Sequence, residues 1–452
     1  MKTFDTHAFL AVLFPILLLG SCASLKQKEY AVPSFSDLSS GVFRKDIEEG
    51  RALEVLQTIQ FLRQEASAEE TAELDDLYSE ALLAAESDFY RAAGENDFRK
   101  AISVFSSFIT LGVDDRLEGW TLEELRLSFV RYEIDQKRIV PGLLLLEDWF
   151  PELEGIITSD ELGSFAKYAY EEKQVKLLAS LAEAMRTRGL STPPEYSAQA
   201  EGAFPGPDTQ KGTVTILVNR GIKLEGGMGY PDQVIGSGFF IDRSGYILTN
   251  YHVISSEVDP EYEGFSRLYV RLHSSAKDRI PAKVVGYDRI FDIALLKIEI
   301  ESPYVFGFTD TKQVNPGDRI FAIGSPGGLE NTITSGIVSA TGRRFLQMGD
   351  TIQVDVPINP GNSGGPLLND AGELIGLVFA GIEQFEGVNF AIPSYWFRRL
   401  IPDLYLGSEL VHSWFGLAVN EDNKKLTTMY VLPGGPAFKA GLKRDDIITA
   451  VN

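Results

Sequence analysis

Hydrophobic positions change their period along this chain. From about residue 43 to 190 they recur at helical spacing. Ala52, Val55, Leu56, Ile59 and Leu62 form one stripe, and Leu74, Leu77, Tyr78, Ala81 and Ala85 form a second. Phe98, Ala101, Ile102, Phe105 and Ile109 make a third, and Val175, Leu178, Ala182 and Met185 the last. Thr121-Leu122-Glu123-Glu124 has the form of a capping box, which predicts a helix carrying Leu125, Phe129 and Tyr132. The pattern predicts about six helices and no strands. Residues 191–211, rich in Pro and Gly, read as a linker. Strand alternation then begins at Thr213-Val214-Thr215-Ile216 and continues, broken by turn signals, to Pro393. Short strands at that spacing predict two packed antiparallel β-barrels over residues 212–400.

Within the helical region, Asn96-Asp97-Phe98-Arg99-Lys100-Ala101-Ile102 with Phe105 resembles half of a tetratricopeptide repeat, although no 34-residue period recurs. Simple helix packing accounts for each stripe singly. The array as a whole offers a surface on which a protein partner would dock.

The first residues add a targeting signal. Lys2 precedes an apolar run from Ala8 to Leu19, too short to span a bilayer and suited to a signal-peptide core over residues 1–21. Leu19-Gly20-Ser21-Cys22 resembles a bacterial lipobox. Cys22 is the single cysteine of the chain, so an intramolecular disulfide is excluded and lipidation gives that thiol a use. Residues 22–42 then read as a tether, and the protein as lipid-anchored in the bacterial envelope, periplasmic or outer-membrane associated. An ordinary signal peptide is the alternative. The net charge of −22 gives no basic footprint for nucleic acid. No phosphate loop is present, and His and Cys are too few for a zinc site, so neither metal nor cofactor is expected.

The candidate chemistry centres on Asn359-Pro360-Gly361-Asn362-Ser363-Gly364-Gly365-Pro366. Glycines around a serine permit a tight turn, leave room for a substrate and aim backbone N–H groups at one point. Such a serine needs a base. Of the four histidines, His7 lies in the removed segment, His273 at a strand end and His412 between two domains. His252 closes the apolar run Gly245–Val253 at a turn and is the candidate base. Asp292, at the mouth of the apolar strand Ile293-Ala294-Leu295-Leu296, is the candidate orienting carboxylate, with Asp288 as its nearest decoy.

Thr249-Asn250-Tyr251-His252-Val253, Asp292-Ile293-Ala294-Leu295-Leu296-Lys297 and Gly361-Asn362-Ser363-Gly364-Gly365-Pro366, in that order, resemble the HtrA (Deg) family of serine proteases. Gly236-Ser237-Gly238-Phe239, Thr334-Ser335-Gly336-Ile337-Val338-Ser339 and Asn389-Phe390-Ala391-Ile392-Pro393 extend the likeness. The resemblance implies a chymotrypsin-like double barrel, a triad of His252, Asp292 and Ser363, and an oxyanion hole from Gly361, Asn362 and Ser363. It also implies a substrate pocket lined by Ile358, Leu377, Val378 and Phe379, where Val378 and Phe379 replace the polar residues usual in that strand. Unfolded polypeptides as substrates and a homotrimer are further family expectations.

Beyond residue 408, Trp414-Phe415-Gly416-Leu417 resembles the carboxylate-binding loop of a PDZ domain, and Pro433–Leu442 its short helix. The expected groove needs a further helix beyond Asn452, and the segment reads as truncated. The fold class is therefore multidomain α + β: a helical array, a double β-barrel and a partial PDZ domain. Two functions are consistent with it. One is an ATP-independent endopeptidase of unfolded envelope proteins; the other is a catalytically silent scaffold acting through the array and the PDZ segment.

Overall fold

The computed structural model describes residues 40–63, 68–198, 207–273, 278–308, 314–325, 332–344, 350–381, 388–422, 425–439 and 441–449. The leader, Cys22 and most of the tether lie outside the described residues. Two compact units emerge: Phe89–His412, and the described residues before and after it.

The N-terminal half is helical. Its principal helices are α1 (Ser40–Glu48), α2 (Ala52–Leu62), α3 (Ala68–Gly94), α4 (Phe98–Leu111), α5 (Leu122–Asp135), α6 (Ile139–Leu153), α7 (Ser159–Glu171) and α8 (Val175–Thr187). The α5 capping box forms at Thr121 and Glu124, and a second one, not anticipated, opens α7 at Thr158 and Glu161. The α4 stripe differs in detail from its prediction. Val104 and Phe108 are buried with Phe98, Ala101 and Phe105, whereas Ile109 is 44% exposed, because the buried face advances by three and four residues in turn. Helix α6 lacked a predicted stripe because Val140, Leu143, Leu144 and Leu146 bury more than one face.

Helices α4 to α8 belong to the same unit as the β domain and pack on it. Val140 and Leu144 enter one core with Phe239, Leu248, Leu295, Phe306 and Phe397. Arg398 pairs with Glu147 and Asp148, each at 3.1 Å. The Lys173 ammonium lies 3.3 Å from the centroid of Tyr304. The carbonyl of Lys173 approaches Gly307 so closely that a Cβ there would sit 2.0 Å from it. One face of the helical array is thus spent on the β domain.

The β domain has two bodies. The first is an eight-stranded sheet in the order β14-β6-β7-β3-β2-β1-β4-β5. Its strands are β1 (Thr213–Glu225), β2 (Met228–Phe240), β3 (Tyr246–Thr249), β4 (Arg267–Leu272), β5 (Ile280–Pro281), β6 (Lys283–Asp288), β7 (Ile293–Lys297) and β14 (Ser408–Glu409). All the pairings are antiparallel except β14 with β6. The second body is a closed barrel, β10-β13-β12-β11-β8-β9. It comprises β8 (Arg319–Gly324), β9 (Thr332–Arg344), β10 (Asp350–Val354), β11 (Pro366–Asn369), β12 (Leu374–Gly381) and β13 (Asn389–Pro393). Each body has an apolar interior, around Val214, Ile216 and Leu296 in the first and Ile320, Val354 and Leu367 in the second. In the other unit, β15 (Leu417–Asp422), β16 (Lys425–Val431) and β17 (Ile447–Ile448) make a small antiparallel sheet.

Candidate active site

The Ser363 loop joins the two barrel strands β10 and β11, and its backbone is pinned from several sides. Asn362 N–H donates to Asn359 O and Gly365 N–H to Asn362 O, both at 2.9 Å; Gly364 N–H donates to Val378 O at 2.8 Å. From the first sheet, Ser237 N–H reaches Ser363 O at 2.8 Å, and Ser237 Oγ reaches Gly361 O at 2.6 Å. Gly364 has φ +87°, and a Cβ on it would lie 2.1 Å from Ser237 O, so both conformation and space demand glycine. After these commitments, the N–H groups of Gly361 and Ser363 have no hydrogen-bond partner among the described residues. Asn362, grouped with them on sequence grounds, has its N–H spent on Asn359, which corrects that expectation.

His252 sits in a one-turn helix, α9 (Tyr251–Ile254), that directly follows β3. Asp292 lies between β6 and β7 with φ +52°, a left-handed conformation that costs a non-glycine residue energy and sharpens the turn. Its Oδ2 is 2.7 Å from His252 Nδ1, and its Oδ1 accepts the His252 backbone N–H at 2.8 Å. Asn250, fully buried, donates through Nδ2 to the Asp292 carbonyl at 2.9 Å. A carboxylate only accepts, so the Nδ1 side carries the proton and Nε2 is left as the acceptor, the tautomer a general base needs. Helix α9 and the serine loop meet over Gly236, where an added Cβ would touch Val253 at 2.6 Å and Ser363 O at 3.3 Å.

The third link is open. Ser363 Oγ donates to the carbonyl of Phe379 at 3.3 Å, and among the described residues no hydrogen bond joins it to His252. The expected pocket residues also need revision. Successive side chains of β12 face opposite sides, so Leu377 and Phe379 enter one core cluster and Val378 the other, with Leu377 and Val378 fully buried. Among the described residues these side chains are taken up in core packing, and Ile358, half-buried, packs against the barrel interior. Asp288, the decoy, is fully buried and paired with His412 at 2.6 Å. Ahead of the C-terminal sheet, Trp414 and Phe415 are exposed and Gly416 has φ +69°, and Leu417 opens β15.

The sequence reading missed Ser237 and Asn250 as members of the site. Both stood inside quoted motifs, and for Ser237 the glycine on each side, Gly236 and Gly238, was the available signal.

Known proteins resemble about half of the chain. Residues 236–377 match the family model described as a trypsin-like peptidase domain. A probable periplasmic serine endoprotease, DegP-like, from Chlamydia trachomatis serovar D is 37% identical over 239 residues, 49% of this chain and 46% of its own. The protein of the same description from Marinomonas sp. is 40% identical over 235 residues, 48% of each chain. A solved serine endoprotease from Yersinia pestis is 31% identical and covers 53% of this chain and 80% of its own, with a TM-score of 0.41. The chain spans about half the length of the curated relatives it matches. The matched part of the chain is thus similar to a trypsin-like peptidase domain and to DegP-like serine endoproteases.

Proposed function

We propose that the whole chain is an ATP-independent endopeptidase that cleaves unfolded or misfolded polypeptides in the bacterial cell envelope. The observation that carries this reading is the His252–Asp292 pair, with both carboxylate oxygens engaged, beside a serine loop whose Gly361 and Ser363 N–H groups are uncommitted. In this reading, Ser363 attacks the peptide carbonyl as His252 Nε2 takes its proton, and His252 then returns it to the leaving amine. Asp292 holds the tautomer and stabilises the imidazolium. The N–H groups of Gly361 and Ser363 bind the oxyanion, each such donor being worth about 3 kcal/mol. The description of the relatives as periplasmic supports the same location for this chain. Anchoring through Cys22, trimeric assembly and capture of a peptide C-terminus at Trp414–Leu417 belong to the same proposal.

The orientation of the Ser363 hydroxyl toward Phe379 favours a second reading, a resting scaffold that binds without cutting. Degradation of reduced casein by the full chain, with Ser363→Ala as control, separates the two. Cleavage lost in the variant supports the peptidase. Equal casein binding by both chains, without cleavage, supports the scaffold.

A further inference from the structure

After α10 (Ser394–Leu404) the chain does not leave the domain directly. It runs back along the first sheet as β14, pairing Ser408 with Gly286 and Glu409 with Tyr287 in parallel. Leu410 N–H donates to Tyr287 O at 2.8 Å, and Glu409 pairs with Arg289 at 3.1 Å. The strap ends at His412, whose Nε2 lies 2.6 Å from Asp288 Oδ2. Asp288 is completely buried, and its other oxygen accepts the N–H groups of Ile290 and Phe291, each at 2.9 Å. Those bonds close the turn that delivers Asp292 at φ +52°. The Phe291 ring meets the His412 ring edge-on at 5.4 Å and packs on Trp396 at 4.8 Å. On the other side of the turn, Arg289 lies over Tyr251, the neighbour of His252, and Tyr251 stacks on Tyr287. The Asp403 carboxylate also interacts with His412.

We propose that His412 is a positioning residue for Asp292. Without its bond the buried Asp288 carboxylate loses a charge-assisted partner, and the turn it closes loses its outer support. The left-handed conformation at Asp292 is then free to relax, which moves the carboxylate off Nδ1 of His252. His412 is the last residue of this unit, and its bond to Asp288 fixes the end of the strap to the catalytic turn. The inference rests on the proposed role of His252 and Asp292.

The test compares the full chain with His412→Ala and His412→Gln, the latter retaining an N–H near the position of Nε2. Two readouts are taken: peptide-cleavage kinetics, and the far-downfield proton resonance of the His252 Nδ1–H bound to Asp292, assigned by its loss in His252→Ala. The expected result for His412→Ala is a kcat lower by about ten- to hundredfold at a KM within about twofold. The resonance should also weaken, because the carboxylate no longer faces Nδ1. His412→Gln should recover most of each. Wild-type kcat and resonance in His412→Ala would overturn the proposal, even if that variant melts earlier. A wild-type chain that shows the resonance but does not cut still tests the positioning by the resonance alone. One that shows neither counts against the catalytic reading itself.

Discussion

Ser363 Oγ donates to the carbonyl of Phe379 at 3.3 Å, at the place where the register between β12 and β13 shifts. The site therefore stands with its His252–Asp292 arm made and its serine arm unmade. A neutral hydrogen bond of this kind contributes only about 1 kcal/mol net, so a bound substrate can displace it. Hydrogen bonds at catalytic sites commonly tighten only once substrate is present. Because Ser363 and His252 act as one unit, each alanine variant should lower kcat/KM by at least about a thousandfold, and the double variant little further. Steady-state kinetics on a peptide substrate check this. Losses that multiply would show two groups acting independently.

Ser237 is the link between the first sheet and the nucleophile loop. It is fully buried, holds the carbonyls of Gly361 and Ser363, and accepts Ser325 N–H at 3.0 Å. Ser237→Ala removes the bond to Gly361 and leaves Ser325 N–H without its acceptor, which should cost about 1–3 kcal/mol of stability. The freed peptide plane at Gly361 should also lower kcat more than it changes KM. Thermal denaturation and kinetics on the purified variant read the two effects separately.

Stability should depend on pH through Glu172. Burial, with the charge of Asp242 next in effect, pushes its carboxyl up from the ordinary 4.5 to about 8. Between those values the folded chain holds a proton that the unfolded chain has released. Its contribution is thus complete below 4.5, falls as pH rises through the window and is gone above 8. Lys173, pushed down to about 8 by its own burial, acts only above that point. The melting temperature is expected to fall from pH 5 to 8, and Glu172→Gln to flatten that slope. Calorimetry across the range decides; an unchanged slope would assign it to other groups.

Gly307 tests whether the helical array and the β domain depend on one another. A methyl group there would stand 2.0 Å from the Lys173 carbonyl, which is backbone and yields little. Gly307→Ala should destabilise the chain by about 1–3 kcal/mol, the range for overpacking a close contact. It should also raise protease sensitivity in the helices, which limited proteolysis would map. An unperturbed variant would mean that the α7–α8 turn shifts freely.

Much of this was legible from local pattern. The stripes at Ala52–Leu62 and Leu74–Ala85 are buried, because a surface helix shows one apolar face and the spacing reveals it. Helix α6 escaped notice because burial on several faces erases the period. The same limit applies to the site. Glycines around Ser363 advertise a tight turn, and the proximity of His252 to Asp292 follows once β3 and β7 are neighbours. The partners of Ser237 and His412 are another matter. Gly361 and Asp288 sit more than a hundred residues from them in sequence, and these contacts arise only when separate stretches are laid side by side. Leu377 and Val378 misled for a related reason: in a closed barrel, both faces of a strand can be core.

The most direct test of the central claim is covalent labelling of Ser363 by an active-serine-directed fluorophosphonate, read by intact mass and peptide mapping. Wild-type chain, Ser363→Ala and His252→Ala are compared in the presence of an unfolded polypeptide. The account predicts a single adduct on Ser363 in the wild type, none in Ser363→Ala, and labelling slowed by at least about a hundredfold in His252→Ala. Labelling of Ser363 at the same rate with and without His252, or no labelling at all, would contradict it.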